Sequence, residues 1–270
     1  MPVDKLFVEG NLELQLLAPI CEGFPLLQQG GSKNSLKPRT CAERRDNKIA
    51  AGYLRDRDFD FDPPKSSTEE PVVDHREEEI PVGWRWRRHE IENYLMEPLL
   101  VSEATGWNLS EFEDALRQVA VKIYVYEAAR WTIGVVRRSL PPHYELQTRP
   151  DNLNEIDLPE KLDFSIFEDW ACKAVRSHGE RIARATDSLR AREQFENFTH
   201  LFQTFVDLSD VLLWFSGKDI LAGLSPWLSA KKIANAGAFR ALLRDWVIKN
   251  PQRTIELLPE WNALLNAIRT

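Results

Sequence analysis

Apolar residues recur along the chain in two rhythms, and the change from one to the other divides it. Up to Trp107 the apolar runs are short. Lys5-Leu-Phe-Val-Glu9 reads as a strand ending at Gly10, and Asn11 then opens Leu12-Glu-Leu-Gln-Leu-Leu17, the pattern of a helix capped by Asn11. Phe24 to Gln29 predicts a second strand, Thr40 to Ile49 an exposed helix, and Ala50 to Arg55 a third strand running into Asp56-Arg-Asp58. From Pro63 to Gly83 the residues are mostly Pro, Ser, Thr, Glu and Asp, which reads as a solvated insertion with little core. Trp84-Arg-Trp-Arg-Arg88 alternates again like a strand.

Beyond Trp107 the period becomes helical. Ser110-Glu-Phe-Glu113 fits a capping box ahead of one long helix reaching Val136, and Pro141 to Pro159 interrupts the pattern. Residues 165–191, 196–208, 218–229, 236–249 and 260–269 then read as helices. The expected fold is therefore α/β over residues 1–107, a parallel sheet flanked by helices, followed by an all-helical part over 108–270. Trp131, Trp170, Trp214, Trp227, Trp246 and Trp261 fall among aliphatic residues in that part. They predict a core, with one face left for oligomer or partner contacts.

Composition narrows the function classes. The formal charge of −7 over 270 residues rules out holding nucleic acid through a global positive field, so any such contact is local or carried by metal ions. Cys21, Cys41 and Cys172 lie far apart and form neither a CxxC pair nor a disulfide framework, which predicts a reducing, cytoplasmic setting. Asp4 and Glu9 interrupt the first apolar run, unlike a signal peptide, and no apolar stretch reaches the ~20 residues of a membrane helix. The histidines His75, His89, His143, His178 and His200 show no zinc spacing.

The informative chemistry is acidic. On an extended strand residues two apart point the same way, so Asp56 and Asp58 can present both carboxylates near the carboxyl end of theirs. Glu9 ends the first strand and reaches the same edge if the strands are parallel neighbours, while Glu13 sits one helical turn on. Such a cluster repels itself unless protons or hard cations neutralise it, and oxygen-only ligands select Mg²⁺ or Mn²⁺. Each acid alone has an ordinary account: Glu9 can cap the next helix, and Asp60 and Asp62 can solvate a loop. Gly30-Gly31-Ser32-Lys33 is a turn whose amides and lysine can face an anion, or a plain turn. Arg85, Arg87 and Arg88, interleaved with Trp84 and Trp86, offer either phosphate contacts and stacking surfaces for a single strand or a half-buried strand with its tryptophans inward. Arg181, Arg184, Arg190 and Arg192 form a second basic stretch, read as a solvated helical face.

Val8-Glu9-Gly10-x-x-Glu13, Gly30-Gly31 with Lys33, Asp56-Arg-Asp58 and His89-Glu-Ile-Glu-Asn-Tyr-Leu95 together resemble the TOPRIM nuclease domain of OLD-family proteins over residues 4–106. The chain is similar to stand-alone TOPRIM proteins encoded beside ABC-type ATPases, the effectors of PARIS-type anti-phage systems among them. The resemblance implies that Glu9, Asp56 and Asp58 bind metal, that Glu13 serves a second metal, and that Glu90 or Glu92 completes the site. It also implies a catalytic lysine, for which Lys218 in Ser216-Gly-Lys-Asp219 is the candidate; the other account of Lys218 is a helix-start lysine in solvent. A Mg²⁺- or Mn²⁺-dependent endonuclease acting on tRNA or DNA, homodimeric and restrained by an ATPase partner, is the function so implied. The alternative is a catalytically silent binding module that assembles with an ATPase. Tyr94 sits close to the acids in sequence, and its apolar neighbours argue for packing rather than a topoisomerase nucleophile.

Overall fold

In a computed structural model the chain is described over residues 2–65, 70–142, 145–146 and 164–269. His143, the side chain of Trp170 and most of the interruption from Pro141 to Pro159 fall outside the described residues. Two compact units emerge: one joins the chain up to Glu127 with everything from Phe202 onward, and the other spans Ala128 to Leu201. That division differs from the sequence boundary at 107/108, because the last helices belong with the sheet rather than with the segment before them.

The first unit is built on strands β1 (Lys5–Val8), β2 (Leu26–Gln29), β3 (Ala51–Arg55), β4 (Val72–Glu77) and β5 (Ile80–Arg85), in the order β2-β1-β3-β5-β4. All neighbours are parallel except β4 and β5. Helix α1 (Asn11–Cys21) follows β1 and α2 (Lys33–Asp46) follows β2. The chain leaves β1 for β2 on one side and returns to β3 on the other, so the carboxyl ends of β1 and β3 flank a topological switch point, where open α/β sheets bind ligands. Leu6, Phe7, Val8, Tyr53 and Leu54 are buried, as a sheet covered on both faces requires.

Beyond β5 come α3 (Glu92–Leu95), α4 (Pro98–Thr105) and the long α5 (Leu109–Ser139). Helices α6 (Phe164–Ala185) and α7 (Ser188–Gln203) follow. The first unit is completed by α8 (Leu208–Trp214), α9 (Gly217–Gly223), α10 (Ser225–Ala230), α11 (Ala236–Lys249), α12 (Pro251–Leu257) and α13 (Pro259–Arg269). Aromatic contacts hold the bundle to the sheet: Trp261 of α13 stacks on Trp86 with ring centroids 5.6 Å apart. Trp227 meets Trp107 and Phe112. In the second unit Trp131 is fully buried and packs on Phe198. Among the described residues no helix is long and apolar enough to cross a membrane.

Several local expectations are corrected. The stretch from Pro63 to Gly83 is not all solvated insertion, since β4 and β5 form a hairpin there. Its turn residues Glu78 and Glu79 adopt φ of 46° and 69°, the left-handed pair of a tight hairpin without the Asn-Gly or Asp-Gly that advertises one. Helix α2 starts at Lys33, not Thr40, and carries Pro38 inside it, which hides its start from a reading that takes proline as a boundary. Gly10, not Asn11, holds the cap position of α1, with no side-chain cap. Asn108 rather than Ser110 caps α5, its Oδ1 accepting the Glu111 amide at 3.2 Å. The predicted helix over 165–191 breaks before Asp187, whose carboxylate caps α7 by accepting the amides of Leu189 and Arg190.

Candidate metal centre

The carboxyl ends of β1, β3 and β5 deliver the acids. β1 and β3 run parallel with Phe7 opposite Tyr53, so Glu9 and Asp56 leave the sheet side by side. The Asp56 amide donates to Oε1 of Glu9 at 3.0 Å. Asp56 is buried and accepts the Ile91 amide at 3.0 Å, which pins the segment after β5 to the end of β3. That segment carries Glu90 and Glu92, both buried. Glu13 is buried in the first turn of α1, and its carboxylate folds back over Gly10. Burial therefore does not separate Glu90 from Glu92; of the two, Glu90 has a carboxylate oxygen in a close group with Asp58 and His89.

Asp58 arrives by a different route from the one expected. β3 ends at Arg55, and Asp58 opens a 3-10 turn (Asp58–Asp60) with φ of 49°, so it is not the second residue of a strand-end pair. Arg57 between the two acids goes the opposite way and is fully buried. The Asp58 amide donates to the carbonyl of His89 at 2.8 Å, and the donor atoms of Asp58, His89 and Glu90 lie within 4.8 Å of one another. His89 is the residue that zinc-spacing rules passed over, because Glu90 is simply its neighbour in sequence and Asp58 comes from another segment. Glu9, Glu13 and Asp56 stand outside that tight group but within its field.

Electrostatics tie the set together. Burial pushes the Glu9 carboxyl up to about 7, with the charge of Asp58 adding to it and the Asp56 amide opposing. Asp56 is raised well above the carboxylate range, by burial first and then by Glu13, Glu9, Asp58 and Glu90. Glu13 is raised by burial and by Glu92, and Glu92 by burial and by Glu90. Carboxylates that destabilise one another in this way are what a hard cation relieves.

Cations of the chain itself reach into the cluster. Lys218 at the start of α9 pairs its ammonium with Oε2 of Glu90, its amide donates to Oε1 at 2.8 Å, and Ser216 Oγ donates to the same oxygen at 2.8 Å. Burial works against the Lys218 charge, but Glu90 and Glu92 outweigh it and raise the ammonium. Gly217 makes this approach possible: a Cβ there would sit 2.8 Å from the Asn93 amide nitrogen. Asn93 accepts the Glu90 amide at 3.0 Å and donates to the Phe215 carbonyl at 2.8 Å, locking α3 to the α8–α9 link. Arg240 of α11 lies 3.1 Å from Oε1 of Glu92, and Oε2 of that residue is buried with no hydrogen bond, 3.7 Å from the Lys218 ammonium. Lys33 bonds Asp58 at 2.9 Å and Asp60 at 2.6 Å. The side chain of Lys218 is 59% exposed while that of Glu90 is 4% exposed, so the lysine reaches the buried glutamate from the solvent side.

The arginine-tryptophan strand does not form a stacking surface. Trp84 and Trp86 are buried. Arg85 pairs with Asp74 at 3.0 Å and lies 4.0 Å from the centre of the Phe61 ring. Arg88 pairs with Glu97 and donates to the Asn93 carbonyl at 3.0 Å. The Arg87 amide donates to Oε1 of Glu260 at 2.8 Å. Tyr94 is fully buried between Trp86 and Trp261 with its hydroxyl on Glu260, which is a packing role.

The donor set fits a divalent, oxygen-preferring ion: buried and half-buried carboxylates from three strand ends, raised first by burial and then by one another, with one carboxylate oxygen lacking a hydrogen bond. No protein-family model matches the chain, and no curated protein matches its sequence.

Proposed function

We propose that the chain is a Mg²⁺- or Mn²⁺-dependent phosphodiester hydrolase of the TOPRIM type, with tRNA or DNA as substrate. The observation that carries this reading is the convergence of Glu9, Glu13, Asp56, Asp58, Glu90 and Glu92 on one sheet edge at a topological switch point. Divalent ions held by those carboxylates supply Lewis-acid chemistry for hydrolysis of a phosphodiester. Glu9 and Asp56, whose carboxyls are raised, would give up their protons on loading, and together with Asp58 they would hold the ions. Lys218 leaves Glu90 and places its ammonium at the solvent mouth, where it binds an oxygen of the bound phosphate. Lys33, on the other rim, does the same for a neighbouring phosphate.

A role as a cytoplasmic anti-phage effector, homodimeric and held in check by an ABC-type ATPase, belongs to the same proposal. It is supported by apolar side chains left in solvent on helices: Val121 and Val125 of α5 in the first unit, and Val175 and Leu189 in the second. The test is incubation of the purified protein with tRNA and with supercoiled plasmid in Mg²⁺, Mn²⁺ or EDTA, beside Glu9→Gln. Cleavage by the wild type alone, and only with metal, is the expected result.

One observation favours the second reading, a silent module. Lys218, Arg240 and Lys33 already neutralise part of the cluster from within. A silent module shows neither cleavage nor a rise in melting temperature on adding Mn²⁺.

A further inference from the structure

We propose that Cys41, His75 and Glu77 form a second metal site, of the zinc class, that clips α2 to the edge strand β4. The donor atoms of these three side chains lie within 4.8 Å of one another. Ligands around a tetrahedral zinc stand about 3.5 Å apart, so the set closes by roughly an ångström. Thiolate, imidazole and carboxylate together are a borderline-soft set, which takes zinc in preference to Mg²⁺ or Mn²⁺. The acid centre at the switch point has the opposite preference.

Local structure brings the three side chains together. His75 and Glu77 are two apart on β4 and share a face. The β4–β5 ladder slips register on both sides of His75, and such bulges re-aim side chains. Cys41 comes from the third turn of α2 and brings its thiol beside the Glu77 carboxylate. Arg44, on the same helix, donates from Nε to Oε2 of Glu77 at 2.7 Å and from Nη1 to the Ala51 carbonyl at 3.1 Å. An outer hydrogen bond of that kind orients a ligating carboxylate and leaves its other oxygen for the ion. On binding, the Cys41 S–H bond breaks, the sulfur pair forms the bond to zinc, and the proton passes to solvent; no electron is transferred. Three protein ligands leave a fourth position to water. All three side chains are half-buried at the surface, so an ion has a path in.

The test uses the full chain stripped of metal and titrated with Zn²⁺ against a chromophoric chelator, with Co²⁺ as the spectroscopic probe. The wild type is expected to show a sulfur-to-cobalt charge-transfer band. Cys41→Ser abolishes it, and Cys41→Ser and His75→Asn each weaken Zn²⁺ binding by about tenfold or more. Cys172→Ser, whose thiol is exposed on α6, keeps both signals. Cobalt bound without a sulfur band, or a band that survives in Cys41→Ser, overturns the proposal. If Cys41→Ser fails to fold, the wild-type band and its loss in His75→Asn decide the matter. The acid centre does not enter, because Glu9→Gln leaves the sulfur band unchanged.

Discussion

Lys218 holds both oxygens of Glu90, its amide on Oε1 at 2.8 Å and its ammonium on Oε2, across 128 positions of sequence. The start of α9 and the segment after β5 are therefore one piece of the site. The helices after Phe202 belong to the same unit as the sheet and reach the acidic cluster through Lys218. Lys218→Met is expected to lower stability in EDTA by on the order of 1 kcal/mol, since a largely exposed lysine contributes little and a buried glutamate loses its counter-charge. The same variant should gain more melting temperature from Mn²⁺ than the wild type and should lose cleavage. Retained cleavage would remove Lys218 from the mechanism.

The acids are not equivalent. Glu9→Gln and Asp58→Asn each delete a charge facing the cluster, and each should abolish metal-dependent cleavage while the circular-dichroism spectrum stays that of the wild type. Asp62 is exposed beyond the 3-10 turn, so Asp62→Asn should cleave like the wild type. An inactive Asp62→Asn would mean the acid register is wrong.

Two of the raised carboxyls set a definite pH window. Glu9 and Glu260 are each pushed up to about 7 from 4.5, both chiefly by burial. Between pH 4.5 and 7 the folded chain keeps protons that the unfolded chain has released, so stability is highest below that window and falls as pH rises through it. The loss is on the order of 2–3 kcal/mol for each group. Urea titrations in EDTA across that range should show the fall, with Glu9→Gln and Glu260→Gln each flattening part of it. Mn²⁺ should reverse only the part that Glu9→Gln removes, because Glu260 sits on Tyr94 and the Arg87 amide, away from the cluster.

Arg57 carries a structural prediction. It is fully buried between Asp56 and Asp58, and its guanidinium donates to the carbonyls of Arg87 at 2.8 Å, Phe61 at 2.9 Å and Leu213. Burial pulls its pKa down to about 9, which leaves it charged at neutral pH. Arg57→Met strands three carbonyls and should cost about 3 kcal/mol or more in chemical denaturation. A loss under 1 kcal/mol would mean water takes over those carbonyls.

How much was legible in the sequence depended on distance along the chain. β1, β3 and their acidic ends could be read because each strand and its acid lie within a few residues of each other, and parallel pairing carries Glu9 and Asp56 to one edge. The approach of Asp58 was hidden, since it depends on a left-handed φ that a period-two pattern does not encode. The β4–β5 hairpin was hidden by a Glu78-Glu79 turn that lacks the usual glycine. Lys218 was suggested by its motif, but only the fold brings it 128 positions back to Glu90. The place of His89 beside the acids was hidden because Asp58 meets it only through a backbone hydrogen bond between turns.

The central claim, that these carboxylates form one cation centre, is tested most directly by melting Asp56→Asn beside the wild type in EDTA and again in Mn²⁺. Asn can still accept the Ile91 amide at Oδ1, so the change removes a carboxyl whose ionisation burial and neighbouring acids disfavour, and little else. The account predicts that Asp56→Asn melts above the wild type in EDTA, where the acids repel one another, and below it in Mn²⁺, where the wild type gains a ligated ion. The same order of melting temperatures in both buffers would contradict it.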